Sequence, residues 1–192
     1  MIKRVFRPLA LAASASLLLT SGVFAAGYGE VDAAASRLTF GFTQMGVNMN
    51  GSFGEFEVRL DFDPDKPAAA SAGLTLNLAS IDTGSVEANE EVLGKDWFDT
   101  ANHPLARFES REVRVLGDNR FEAVGDLSIK GNSREVAAPF TVTPQGDAMV
   151  FEGSFKMNRA DFGVGEGMWG DFGIVANEVE VRFHVVAAPS KN

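Results

Sequence analysis

Two stretches of the chain alternate charged and apolar side chains without a break. Residues 55–62 read Glu-Phe-Glu-Val-Arg-Leu-Asp-Phe, and residues 178–185 read Glu-Val-Glu-Val-Arg-Phe-His-Val. Successive side chains of a β-strand point to opposite faces, so each stretch predicts a strand with one apolar face and one hydrated face. The pattern therefore predicts a sheet that covers a hydrophobic interior with a charged exterior.

Milder forms of this alternation recur through most of the chain and predict eight strands. Turn signals rich in Gly, Pro, Asp and Asn separate several of them, as at 63–65, 117–119 and 144–147. The short connections in the second half favour antiparallel hairpins, because parallel strands need long crossovers. The predicted strands are 37–44, 53–62, 72–79, 105–116, 120–130, 134–143, 149–158 and 178–187.

Two segments break the alternation. Residues 86–99 have helical composition, with Val86, Val92 and Leu93 among carboxylates, and predict a short helical segment across the mouth of the sheet. Residues 161–176 are rich in glycine and aromatic side chains. A stretch of this length without regular structure is uncommon in a compact domain unless it serves as a lid or a binding loop.

The architecture follows from the need to hide the apolar face of the sheet. An open sheet would expose its edges and that face, and closure into a barrel removes both problems. We therefore predict an all-β fold, an eight-stranded antiparallel barrel, with a two-sheet sandwich as the alternative. Placing Glu55, Glu57 and Glu180 inside would bury charge with little balancing base, so the charged rows face water. Such a barrel is either filled by its own side chains or holds one small ligand.

The first 25 residues predict a secretory signal peptide. Lys3, Arg4 and Arg7 precede an apolar run, and Val23-Phe24-Ala25 supplies small residues for cleavage. Residues 26–192 would then form one barrel domain of an exported protein, with no cysteine in the chain. The 17 basic residues less these three leave 14 against 26 acidic residues, a net charge of −12. That charge argues against nucleic acid and anionic lipid surfaces as partners.

The residue types that carry catalysis are sparse. The chain has two histidines, His103 and His184, and neither has a second ligand at metal-site spacing, so we predict no metal site. Asp96 and Asp99 flank two aromatic residues and suggest a carboxylate-based hydrolase, which would need an apolar setting to raise one pKa. The alternative is that both carboxylates cap turns or accept hydrogen bonds from loop amides.

Aromatic, leucine and methionine side chains make up the strongest candidate site. Some belong to the inward rows of the predicted strands, and others cluster in the irregular segments, where they are typical of the adaptable rim of an apolar pocket. We predict that the ligand-binding residues are Phe40, Phe42, Met45, Phe56, Leu76, Trp97, Phe98, Phe108, Leu127, Phe162, Trp169 and Phe183.

Four blocks of the chain resemble the YceI-like family of exported proteins and occur in the family's order. They are Ala-Ser-Ile-Asp-Thr-Gly at 79–84, Asp-Trp-Phe-Asp-Thr-Ala at 96–101 followed by Pro104 and Phe108, Gly-Asp-Leu-Ser-Ile-Lys-Gly at 125–131, and Arg-Ala-Asp-Phe-Gly-Val-Gly at 159–165. Tyr28 and Asp32 fit the opening strand of the family. The resemblance spans all of residues 26–192.

The resemblance implies a lipocalin-like barrel that binds a polyisoprenoid or a related amphiphilic lipid, without enzymatic activity, and a periplasmic location. Residues 44–53 are similar to a branch often associated with a b561-type membrane cytochrome, which implies a ubiquinone-like ligand. Many members have histidine where this chain has Ala34-Ala35-Ser36, so headgroup contacts of that histidine do not carry over.

Taken together, the sequence predicts an exported, non-catalytic protein that holds a polyisoprenoid or quinone-like lipid inside an apolar barrel. We expect a monomer or a homodimer, with no cofactor other than a bound lipid. Two alternatives stay open: a structural or interaction protein whose barrel is filled by its own phenylalanines, and the carboxylate-based hydrolase.

Overall fold

A computed structural model describes residues 27–191, and these form ten β-strands with one α-helix. The predicted signal peptide, residues 1–25, lies outside the described residues. The helix α1 spans Val86–Val92. The strands are β1 Tyr28–Gln44, β2 Val47–Phe53, β3 Phe56–Asp61, β4 Ser71–Asn77, β5 Ile81–Asp82, β6 Leu105–Gly117, β7 Arg120–Ile129, β8 Asn132–Gln145, β9 Ala148–Asn158 and β10 Glu178–Pro189.

All ten strands belong to one antiparallel sheet in the order β3-β4-β6-β7-β8-β9-β10-β1-β2-β5. The sheet curls until the start of β1 meets the end of β3, where the backbones of Tyr28 and Phe62 exchange hydrogen bonds of 2.7 and 3.1 Å. The predicted antiparallel all-β fold is confirmed. The two-sheet sandwich alternative is wrong.

The number of strands is ten and not the predicted eight. The additional strands are β2, which forms a hairpin with β1, and the two-residue strand β5. Met45 and Gly46 make the hairpin turn with backbone φ angles of 49° and 80°, a region that glycine reaches without strain. The predicted strand 53–62 is interrupted at Gly54 and Glu55, where the chain leaves β2 for β3.

The predicted helical segment 86–99 is a helix only up to Val92. Ser85 caps the N-terminus of α1, because its hydroxyl accepts a hydrogen bond from the backbone N–H of Ala88. Residues 93–99 continue as a turn. No helix within residues 27–191 is both long enough and apolar enough to cross a membrane.

The two ends of the curled sheet are closed differently. One end is filled by a cluster that we call the plug, formed by Phe62, Phe121, Phe140 and Phe151. Phe62 meets Phe121 and Phe151 edge to face, with ring centroids 5.6 and 5.2 Å apart. The other end is covered by α1 and by residues 159–177, which we call the lid. The lid contains two short 3-10 helices, Arg159–Phe162 and Gly167–Gly170.

Candidate functional site

A cavity of about 620 Å³ lies between the plug and the lid. Its walls are formed by residues of all ten strands and are almost wholly apolar. Ala123 and Ala138, which pair across β7 and β8, line it near the plug. It reaches the surface beside α1, where the exposed residues Ser85, Glu87 and Glu91 line it, and we call this opening the mouth.

Ten of the twelve predicted ligand-binding residues line the cavity. The other two do not, for opposite reasons. Met45 occupies the tip of the β1–β2 hairpin with its side chain in solvent, and Phe162 is packed behind the cavity wall with only 1% of its surface exposed. The ten lining residues are Phe40, Phe42, Phe56, Leu76, Trp97, Phe98, Phe108, Leu127, Trp169 and Phe183.

Cross-strand glycines decide where two of these phenylalanine rings lie. Gly51 pairs with Phe40, and a Cβ added at Gly51 would be 2.2 Å from Phe40 Cζ. Gly153 pairs with Phe183, and a Cβ there would be 2.5 Å from Phe183 Cζ. Each ring therefore rests on the backbone of the neighbouring strand and lies along the wall. This placement leaves the centre of the barrel free.

The residue that organises the lid is Arg159, which sequence reasoning did not single out. Its side chain is 2% exposed and donates five hydrogen bonds to backbone carbonyls. Nη1 binds the carbonyls of Val164 and Gly165, both at 2.8 Å. The remaining acceptors are Trp169 at 2.6 Å, Val175 at 2.7 Å and Ala176 at 3.1 Å. One side chain thus ties together both halves of the lid.

Arg159 is a buried cation for which the described residues supply no ion pair with a carboxylate. Its charge is balanced by carbonyl dipoles and by the rings of Trp97 and Phe172, each with its centroid 5.3 Å from Cζ. Burial lowers the pKa of the guanidinium, which nevertheless stays charged because arginine does not deprotonate in proteins. All five N–H groups are used within the lid, so this arginine has no donor left for a ligand headgroup.

Further contacts hold the lid on three sides. Lys130 Nζ donates to the Gly163 carbonyl and pairs with Glu166, both at 2.7 Å. Trp169 Nε1 donates to Glu91 of α1 at 2.9 Å. The amide of Met45 donates to the Ile174 carbonyl at 2.8 Å and joins the lid to the β1–β2 hairpin.

The mouth carries negative charge. Glu87 and Glu91 line it, whereas Arg37 and Arg107, which also border the cavity, are exposed residues on the outward rows of β1 and β6. The pKa of Glu87 is lowered, first by a hydrogen bond from its own backbone N–H and second by the Ser85 hydroxyl. A neutral or cationic headgroup suits this mouth better than an anionic one.

Trp97 brings a different polar feature to the cavity wall. Its indole Nε1 is buried and has no hydrogen-bond partner among residues 27–191. The ring packs against that of Trp169, with centroids 5.5 Å apart, and under the Arg159 guanidinium. The indole thus contributes ring contacts to both the lid and the cavity wall.

The aspartates of the hydrolase alternative lie outside the cavity. Asp96 is exposed, and Asp99 is half-buried in a turn, where its carboxylate accepts hydrogen bonds from Asn102 at 3.0 Å. For Asp99 this is the turn-capping arrangement that the alternative explanation predicts. His184 lies beside Glu152 at 2.6 Å on the outer face, away from the cavity.

Comparison with known proteins identifies the relatives of this chain. A family model described as the YceI-like domain matches residues 30–187. The chain belongs to the YceI-like family. The predicted resemblance is therefore confirmed.

Individual relatives of this YceI-like chain cover most of its length. A UPF0312 protein of Azotobacter vinelandii is 30% identical over 194 residues, covering 96% of this chain and 97% of that protein. The crystal structure of BcnA from Burkholderia cenocepacia superposes with a TM-score of 0.81 at 40% identity, covering 83% of this chain and 100% of that one.

A third comparison concerns the fold alone. A structure described as a polyisoprenoid-binding domain from Saccharophagus degradans, implicated in plant cell wall breakdown, superposes with a TM-score of 0.66 at 17% identity. It covers 86% of this chain and 99% of that one.

Three of the four blocks that carry the family resemblance meet at the lid. Trp97, from the block at 96–101, packs under the guanidinium of Arg159, which begins the block at 159–165. Lys130, from the block at 125–131, donates to the carbonyl of Gly163 in that last block. The blocks that are far apart in sequence thus build one structure, the cover of the cavity.

Proposed function

We propose that the protein is a non-catalytic carrier that holds the apolar chain of an amphiphilic lipid in the cavity. The observation that carries this proposal is a cavity of about 620 Å³ with almost wholly apolar walls beneath an anchored lid. Ligand pockets usually measure about 300–1,000 Å³, and the volume falls within that range. A polyisoprenoid or a quinone-like lipid has the chain that such walls accept.

The driving force would be removal of the chain from water. Each buried methylene gains about 0.8 kcal/mol, so a tail of about ten carbons gains about 8 kcal/mol before the cost of association. Association costs at least about 4 kcal/mol, so micromolar affinity, about 8 kcal/mol, requires a buried tail of about fifteen carbons. No covalent chemistry is needed for this role.

The charge of the mouth favours an uncharged headgroup. Glu87 and Glu91 would repel a phosphate, and Arg159 has no N–H left to offer one. Within the predicted ligand classes this favours a quinone-like head over a polyprenyl phosphate. The polyisoprenoid description of the Saccharophagus degradans domain supports an isoprenoid tail.

The location and the protein partner are further parts of the proposal. The signal-peptide pattern at 1–25 supports export, and we propose the periplasm as the place of action. A b561-type membrane cytochrome remains the proposed partner, which fits a quinone-like ligand. Monomer and homodimer both remain predictions.

The self-filled barrel is the second candidate function, and the plug is the observation that favours it. The plug fills only one end, however, and the cavity occupies the other. The hydrolase alternative has less support, because neither Asp96 nor Asp99 lines the cavity.

The test is native mass spectrometry and lipid extraction of the purified protein, followed by titration with ubiquinone and with a polyprenyl phosphate. Ala138→Phe places a ring in the cavity near the plug, and Ala137→Phe places the same ring on the outer face of the same strand. We expect Ala138→Phe to weaken binding of long chains, and Ala137→Phe to bind like the wild type. Absence of co-purifying lipid, together with no response of Trp fluorescence to either ligand, would refute the proposal.

A further inference from the structure

The β1–β2 hairpin keeps an alternating pattern where no part of the described chain covers it. Residues 47–53 read Val-Asn-Met-Asn-Gly-Ser-Phe, apolar or glycine at every second position. In register, Val47 lies opposite Gln44 and Met49 opposite Phe42, on the face that continues the cavity wall. The opposite face carries Asn48 and Asn50. The hairpin therefore presents one apolar face, as strands do when that face is to be buried.

Exposure rises steadily along this face toward the tip. The exposed fraction is 8% at Phe40, 36% at Met49, 59% at Val47 and 77% at Met45. The face thus runs from the cavity to the outside, with Gln44 as its polar member opposite Val47. A lipid chain that slid along it would contact Met49 and Val47 on the way out.

Two other elements carry exposed apolar residues at the same end of the barrel. Val86 begins α1 between the mouth residues Ser85 and Glu87, and Met168 precedes the cavity-lining Trp169 in the lid. Phe172 lies against Arg159. Six of the eight exposed large hydrophobic residues among residues 27–191 belong to these three elements at the lid end, and we call them the rim: Met45, Val47, Met49, Val86, Met168 and Phe172.

We propose that the rim docks on the surface of a lipid bilayer, so that the mouth exchanges lipid with the membrane. This proposal rests on the proposed carrier function. The hairpin, α1 and the lid border one opening, so a surface that contacted the whole rim would also face the mouth. A lipid bilayer is the surface from which a lipid chain can pass into the cavity. Exposed apolar groups of this kind mark interaction sites in soluble proteins.

The charges around the rim indicate which kind of lipid surface it can contact. Glu87 and Asp171 are exposed beside Val86 and Phe172, whereas Glu166, beside Met168, is paired with Lys130. Anionic lipids would be repelled, so the rim fits a zwitterionic surface. A second copy docked through the same rim would set these carboxylates against each other, which disfavours a dimer through this face.

The experiment measures binding to phosphatidylcholine vesicles by co-flotation, and lipid transfer between vesicles with a fluorescent isoprenoid. The rim variant carries Met45→Gln, Val47→Thr and Met168→Gln. The control variant carries Val115→Thr and Leu116→Gln, exposed apolar residues at the plug end. We expect vesicle binding of the rim variant to be about tenfold weaker, with a matching fall in transfer rate, and the control variant to equal the wild type. Added phosphatidylglycerol should weaken wild-type binding.

Two outcomes would overturn the docking proposal. One is equal vesicle binding by the wild type and the rim variant. The other is a wild-type dimer that the rim variant dissociates in sedimentation, because the occupant would then be a second copy. The carrier function fails separately, when the purified wild type contains no lipid and takes none up from detergent. A rim variant that still loads from detergent while losing vesicle transfer would support both proposals.

Discussion

Replacing Arg159 by Met tests whether one buried cation holds the lid together. Methionine keeps most of the side-chain volume and removes the five N–H donors. Five backbone carbonyls, those of Val164, Gly165, Trp169, Val175 and Ala176, lose their donor at once. Arg159 is only 2% exposed, so water does not replace its guanidinium without movement of the lid.

The expected magnitude lies well below the sum of the separate bonds. Hydrogen bonds to a charged group contribute a net of about 1.5–3 kcal/mol each, so five independent bonds would contribute about 8–15 kcal/mol. The five bonds share one side chain and are not additive, and removal of one partner from a buried charged interaction typically costs about 3–5 kcal/mol. The net loss of unfolding free energy should be about 3–5 kcal/mol, a fall in melting temperature of about 6–20 °C for a domain of this size.

The assay combines thermal unfolding with amide hydrogen exchange resolved over the lid. Exchange of residues 159–177 should accelerate more than exchange of the plug, because the lost contacts all lie in the lid. Arg159→Lys, with three donors, should fall between the wild type and the methionine variant. Arg134→Met, an exposed arginine on β8, is the matched control. A melting temperature within about 2 °C of the wild type, with unchanged lid exchange, would refute this account of Arg159.

Three further predictions concern the cavity and its cover. Gly51→Ala should drive the Phe40 ring towards the cavity and displace the β5 backbone, because the new Cβ would lie 2.2 Å from Phe40 Cζ and 2.6 Å from the Asp82 carbonyl. Ligand binding by isothermal titration should weaken, whereas Gly54→Ala, which meets nothing closer than 3.7 Å, should leave it unchanged. Trp169→Phe removes the hydrogen bond to Glu91 and should raise the rate of ligand release in stopped-flow fluorescence. Glu91→Gln keeps a hydrogen-bond acceptor and should raise this rate less. In the folded protein the pKa of Glu87 is lowered from its ordinary value of 4.5. The ionised carboxylate therefore stabilises α1 above pH 4.5, and this stabilisation is lost as the pH falls through the lowered pKa. Chemical shifts of α1 on acid titration would detect the change, and Glu87→Gln should abolish it.

The alternation of side chains was enough to predict most of the sheet. Six predicted strands coincide with β4, β6, β7, β8, β9 and β10 to within a few residues, because each has one face buried and one in water. The β1–β2 hairpin was missed because its turn, Met45-Gly46, lacks the usual Asn-Gly or Asp-Gly signature. The short strand β5 pairs only two residues and has no periodicity to detect.

The walls of the site were predictable, but its cover was not. Inward rows follow from the period of two, and this placed Phe40, Phe108 and Leu127 correctly on the cavity wall. Arg159 donates its hydrogen bonds to backbone carbonyls. Every residue carries a carbonyl, so the residue types of the lid do not indicate which residues Arg159 contacts. The clue that could have drawn attention to it is an arginine placed immediately before a segment rich in glycine.

Phenylalanine lines both ends of the same barrel, yet it fills the centre in the plug and leaves the centre open at the lid end. In the plug, Phe62 meets Phe121 and Phe151 edge to face, so the rings fill the centre. At the lid end, Phe40 and Phe183 lie against Gly51 and Gly153. An opposite glycine is not sufficient for this placement, because Phe140 of the plug also lies opposite Gly153. Whether an alternating strand fills a barrel or lines a cavity therefore depends on which rings converge from the other strands as well as on the residue opposite each ring, and only the strand register and the curl of the sheet bring these together.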